Sequence, residues 1–222
     1  HLARRHEMAR LLAKMPEPGL LIGDDSAGRS DELKAARSGY IDWVNQVLFD
    51  QLDITRIFYV NTDNEVEFWL DRNHGSGRLE EGAIDGSRPE PGLYEAARHL
   101  TPGTVLNGPI VFDRSLVAVA PNRFMQMGLV SPVFLPQLLI EPGEVAAPNG
   151  SVVVYLDMGG LAQAYRGNYW VFADGRYLDS ASGEARATSA FDDFEGLEEL
   201  FDAGELALWE YRNQQVLWVP LF

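Results

Sequence analysis

The sequence predicts an α+β protein of two tandem lobes, each an antiparallel sheet with flanking helices, joined by a long N-terminal helix. Three observations predict it. An amphipathic helix pattern directly precedes a β-rich run and needs a sheet to cover. The β-rich runs return on themselves through short turns, as antiparallel hairpins do. The hairpin pattern then restarts after residue 165 as a shorter copy.

Taken in order, Leu2, Ala9, Leu12 and Met15 recur at near-helical spacing and end at the breaker Pro16-Glu17-Pro18-Gly19. Ser30 or Asp31 can cap a second helix, whose stripe is Leu33, Ala36, Tyr40, Ile41, Val44, Val47 and Leu48. Ile54–Val60 reads as a strand, Asn61-Thr62-Asp63-Asn64 as a turn and Val66–Leu70 as the return. Residues 71–108 are rich in Gly, Pro and charge, with a short helical stretch at Leu93–Leu100, and read as a cap over the sheet. Strands are then expected at Ser115–Ala120, Phe124–Phe134 and Ser151–Asp157.

The smaller copy opens with a short helix at Leu161–Tyr165. Tyr169–Ala173, the turn Asp174-Gly175 and Arg176–Leu178 form its hairpin, followed by an acidic helix over Phe191–Leu200 and strands at Leu206–Tyr211 and Val216–Phe222. The repeat is visible residue by residue: Ile57-Phe58-Tyr59-Val60 matches Tyr169-Trp170-Val171-Phe172, and Leu129-Val130-Ser131-Pro132 matches Leu217-Trp218-Val219-Pro220. Three segments follow: an entry helix and linker at 1–24, a larger lobe at 25–157 and a smaller lobe at 158–222.

Composition narrows the function. The net charge of −15 excludes nucleic acid as a partner, because phosphate binding needs clustered Lys and Arg. It equally disfavours docking on anionic lipid. Without cysteine there is no disulfide, thiolate zinc site or cysteine nucleophile. His1, His6, His74 and His99 show no metal-ligand spacing, and GxSxG, P-loop and GxGxxG motifs are missing. The pairs Glu80-Glu81, Asp192-Asp193 and Glu198-Glu199 point apart on a helix and read as solvated charge. The chain opens on His1 inside a helical pattern and stops within a strand-like segment, which reads as a piece of a longer chain.

Ile57-Phe58-Tyr59-Val60-Asn61-Thr62-Asp63-Asn64, Val152-Val153-Val154-Tyr155-Leu156-Asp157 and Phe172-Ala173-Asp174-Gly175-Arg176-Tyr177-Leu178 resemble, in turn, the first hairpin, the closing strand of the distal domain and the proximal hairpin of the double Cache family, which are tandem PAS-like extracytoplasmic sensors. The resemblance spans about residues 25–222. It implies a periplasmic or extracellular sensor of a bacterial transmembrane receptor. Such a receptor has flanking membrane spans and a cytoplasmic histidine kinase, GGDEF-type cyclase or chemotaxis output. The resemblance implies an unidentified small-molecule ligand; the absent motifs point to a non-catalytic role with no cofactor, and the amphipathic N-terminal helix can pair with its mate in a homodimer.

In this family the ligand sits beneath the cap, on the sheet face away from the long helix. Strand alternation places Val153 and Tyr155 on the face of Asp157. The resemblance makes Asp157 a carboxylate that holds a ligand ammonium, whereas the residues alone equally allow it to cap the helix after Gly159. The family's carboxylate grip, an Arg followed closely by Trp-Tyr, maps onto Arg88-Pro89-Glu90-Pro91-Gly92-Leu93-Tyr94, where Tyr94 fits, Leu93 replaces the Trp and Arg88 is displaced. This departure argues against an ordinary α-amino acid. Tyr59, Trp69 and Tyr94 supply aromatic surface that serves either a core or a pocket. Gln126 and Ser131 are polar residues on opposite faces of one apolar strand, so at most one of them points into the pocket. The alternatives are a periplasmic protein-interaction module with a vestigial pocket and an uncharacterised hydrolase.

Overall fold

The computed structural model describes residues 2–14, 30–73, 75–82, 89, 91–112, 125–134, 148–158, 169, 171–172, 174–179, 185–203, 207–211 and 214–218. The chain divides into two compact units, residues 1–158 and 159–222.

The first unit is built on a fully antiparallel six-stranded sheet. Its strands are β1 (Ile54–Asn61), β2 (Val66–Arg72), β3 (Leu79–Glu81), β4 (Leu106–Phe112), β5 (Met125–Val133) and β6 (Gly150–Asp157), in the order β3-β2-β1-β6-β5-β4. One edge strand falls inside the stretch 71–108 read as a cap, and a second begins within it. Leu79–Glu81 is only three residues long. Leu106–Phe112 contains Gly108-Pro109, which reads as a breaker in sequence. The ladder shifts register between Asn107 and Ile110, and Pro is tolerated at such an irregularity on an edge strand. The strand expected at Ser115–Ala120 and the helix expected at Leu161–Tyr165 lie outside the described residues.

Residues directly opposed across antiparallel pairs share a face. One row is Trp69, Phe58, Val153 and Val130; the next is Phe68, Tyr59, Val152 and Ser131, on the other face. The second face is covered by α1 (Leu2–Leu12) and α2 (Ser30–Val47). From α2, Tyr40 meets Tyr59 edge-on at 5.4 Å between ring centres, and Arg37 lies 5.2 Å over the Phe68 ring. From α1, Ala9 and Leu12 are fully buried, and the Leu12 carbonyl accepts the Tyr59 hydroxyl at 3.3 Å. Each large apolar side chain removed from water here contributes roughly 1.5–3 kcal/mol.

Polar ties from three α1 residues fix the helix on this face. The Arg5 guanidinium pairs with Asp53, one NH2 donating to Oδ1 at 2.7 Å while Nε stands 2.6 Å from Oδ2 without bonding it, and it also bonds Gln51. His6 bonds Asn107 at 2.7 Å, and Arg10 donates to the Gly103 carbonyl. The buried side of this helix is therefore spent on its own sheet, and the outward strip is Ala3, Arg4, Glu7 and Lys14.

The opposite face is covered by α3 (Pro91–Ala97), shorter than the Leu93–Leu100 expected. Leu93 and Ala97 pack with Phe58, Val60, Val130, Val153 and Tyr155. Leu93 seats in a notch made by two glycines: a Cβ on Gly108 or Gly128 would stand 2.8 or 2.6 Å from its methyl groups.

In the second unit, β7 (Arg176–Leu178) pairs with β8 (Ala185–Ser189), and Val171 bridges Tyr177 across a turn whose Gly175 has φ 79°. The expected helix over Phe191–Leu200 is two short ones, α4 (Ala190–Asp193) and α5 (Leu197–Ala203), parted at Gly196 with φ 81°. Tyr177, Ala190 and Leu197 form their core. β9 (Ala207–Tyr211) and β10 (Gln214–Trp218) close the chain as a hairpin. Residues 219–222 of the expected last strand lie outside the described residues.

Candidate functional site

The face beneath α3 carries polar groups at both ends and apolar ones between. At one end, Asp157 stands opposite Gln126, and both are buried. Tyr155 is the next residue of β6 on that face, and Arg56 and Asp71 face it from β1 and β2. Arg56 Nε donates to Asp71 Oδ1 at 2.5 Å, a half-buried ion pair. The Asp157 backbone N–H donates to the Asp53 carbonyl at 2.6 Å, which pins the strand end. A carboxylate, an amide, a phenol and an ion pair thus share one end of a sheet face whose centre is apolar. Desolvated in this way, a carboxylate binds a donor or cation more tightly than it would in water.

The centre is filled. Phe58 meets Tyr155 edge-on at 5.9 Å, and Leu93 plugs the space above Gly128. At the far end, six residues along β6 from Asp157 and so about 20 Å away, an open cleft of about 260 Å³ lies between the C-terminal end of α3, the β1–β2 turn and the start of β6. Tyr94, Arg98, Asn64 and Ser151 line it.

The seven residues singled out in the sequence therefore do not form one cluster. Asp157, Gln126 and Tyr155 stand together. Trp69 shares their face one strand beyond Phe58, and its indole Nε1 is buried with no hydrogen bond among the described residues. Tyr94 belongs to the distant cleft. Two assignments need correction. Tyr59 is wholly buried on the α1–α2 face, where its hydroxyl bonds Tyr40 and Leu12, because the register puts Phe58, not Tyr59, under the cap. Ser131 is on the same wrong face and donates to the Thr104 carbonyl at 3.1 Å. Arg56 and Asp71 escaped the sequence reading. The available signal was a lone Arg at a core-facing parity in the run Ile54–Val60. The helix that Asp157 would cap lies outside the described residues.

No protein-family model matches the sequence, and no curated protein matches it. Solved structures do. The chain superposes on the extracellular domain of a protein assigned as a histidine kinase with a TM-score of 0.54 at 12% identity, over 90% of this chain and 67% of that one. It superposes on a domain of a protein assigned to the sensory box/GGDEF family of Vibrio parahaemolyticus with a TM-score of 0.58 at 13% identity, over 95% and 79%. The chain has the fold of receptor sensor domains.

The α+β sensor fold expected from the three quoted segments is thus the one found. Within this sensor fold, no group of three or more His, Asp or Glu is placed to hold a metal among the described residues. No helix among them is long and apolar enough to cross a membrane.

Proposed function

We propose that this chain is the extracytoplasmic small-molecule sensing module of a bacterial signal-transduction receptor. It acts by binding rather than catalysis and passes ligand occupancy to a cytoplasmic output domain through flanking membrane spans. The observation that carries this reading is the buried Asp157 carboxylate, set beside Gln126 and Tyr155 at the end of an otherwise apolar face in a sensor fold. The ligand is a small molecule that presents a hydrogen-bond donor or a cationic group to Asp157. Binding at the strand end biases two receptor states. A homodimer through α1 belongs to the same proposal. It would use the outward strip around Arg4 and Glu7, since the inward strip is occupied.

A thermal-shift screen of small metabolites tests this, because a ligand that binds the folded state raises the unfolding midpoint. The expected result is a cationic or donor-rich hit whose midpoint rise is lost in Asp157→Asn, a variant that keeps the shape and removes the charge. A hit that acts undiminished on that variant removes the site from Asp157. The filled centre under Leu93 favours a second reading, a periplasmic protein-interaction module, and a screen with no hit at all turns the choice towards it.

A further inference from the structure

We infer that the cleft at the far end of α3 is a second binding site, one for a short-chain organic carboxylate, separate from the Asp157 end. Four observations carry it. First, among the described residues that line the cleft Arg98 is the one that carries a charge, in a chain of net charge −15. Its guanidinium is oriented rather than free to sweep: one NH2 bonds the Thr62 carbonyl and Asn64 Oδ1, leaving the rest of its fork for another acceptor. Second, the turn that holds it is itself fixed. Asn61 Oδ1 accepts the backbone N–H groups of Asp63 and Glu65, and Asn64 sits at φ 67°. Third, the Tyr94 and Ser151 hydroxyls line the cleft and make no hydrogen bond to any described residue. Each can donate to a carboxylate oxygen.

Fourth, Ala97, Pro148 and the Tyr94 ring add an apolar part to a lining that also holds Asn61, Thr62 and Asn64. A volume of about 260 Å³ falls just below the roughly 300–1,000 Å³ of sites for drug-sized ligands. The planar guanidinium matches the two oxygens of a carboxylate. A single guanidinium among the described lining residues, with Ala97, Pro148 and the Tyr94 ring beside it, suits a monoanionic carboxylate on a short carbon chain better than a phosphate dianion, which draws several cations.

The test is isothermal titration and thermal shift of the 222-residue chain with butyrate, succinate, butyramide and inorganic phosphate at constant ionic strength. The expected result is binding of butyrate, with the dianion succinate weaker and neither butyramide nor phosphate binding. Arg98→Gln is expected to weaken that binding by about tenfold or more. Tyr94→Phe with Ser151→Ala, which leaves the turn's anchor in place, is expected to weaken it as well. Asp157→Asn should leave it unchanged, so failure here and failure of the Asp157 site are told apart. The inference is overturned if butyrate does not bind, if butyramide or phosphate binds equally well, or if both sets of cleft variants bind as the parent does.

Discussion

Asp53→Ala is expected to destabilise the first unit by about 3 kcal/mol, read as a lower urea midpoint at neutral pH. The Arg5 side chain is 7% exposed and that of Asp53 23%. Removing the carboxylate leaves a buried guanidinium with only Gln51 among the described residues, and an uncompensated buried charge is the costly half of a broken pair. The reverse change is milder. Arg5→Met takes away the charge and keeps much of the apolar stem, leaving Asp53 with a route to water, so about 1 kcal/mol is expected. The double variant should recover part of the Asp53→Ala loss, the mark of a coupled pair. Asp53 also accepts the Asp157 backbone N–H through its carbonyl, so the seat of the entry helix and the end of β6 share a residue. Hydrogen exchange at the α1 amides should therefore quicken in Asp53→Ala. An Asp53→Ala midpoint within experimental error of the parent would show the pair to be idle.

Much of the fold was legible because local signals agreed with tertiary need. The α2 stripe from Leu33 to Leu48 is a helix, and Tyr40, Val44 and Leu48 from it are buried. Asn61–Asn64 forms the turn between β1 and β2. What failed to show in sequence failed for physical reasons. Leu106–Phe112 carries Gly and Pro, which read as a connector, yet an edge strand with a register shift accepts both. Ala185–Ser189 is mostly exposed and has no apolar alternation to announce it. Alternation told which residues of one strand share a face, but not which face of the next strand they join. The unbroken pairing of Arg56–Tyr59 with Val152–Tyr155 decides it, sending Tyr59 to the helices and bringing Arg56 opposite Tyr155, and that register is a tertiary fact. The candidate site was half legible in the same way. Asp157, Tyr155 and Gln126 lie on adjacent strands whose pairing is unbroken. Arg56 and Asp71 lie on β1 and β2, and only the register that sets Arg56 opposite Tyr155 and Asp71 reveals them.

The buried tyrosine pair on the helix face gives this sensor fold an alkaline limit. Tyr40 and Tyr59 bond to each other through their hydroxyls, fully out of solvent. Burial pushes both phenols well above the usual tyrosine value; for Tyr59 the nearby Tyr40 pushes further, whereas for Tyr40 the shared hydrogen bond works slightly the other way. The sign of the linkage follows. A phenol whose folded pKa exceeds its unfolded one keeps its proton in the native state while the unfolded chain sheds it. The stability it confers is complete below about pH 10 and lost as pH rises beyond. Each tyrosine then removes about 1.4 kcal/mol per pH unit and the pair about 2.7. Urea midpoints should hence be level with respect to this pair from pH 7 to 9 and fall steeply between pH 10 and 11.5. The double variant Tyr40→Phe, Tyr59→Phe removes both hydroxyls at once, so neither is left orphaned and little stability is lost at pH 7. Its decline above pH 10 should be shallower than the parent's by about the full paired slope. Tyr177 in the second unit is raised by burial and by its bond to Asp193 at 2.9 Å, so Tyr177→Phe should flatten that unit's own alkaline step independently. A double-Phe variant that unfolds at high pH as steeply as the parent would place the titration elsewhere and leave the pair without a role in alkaline stability.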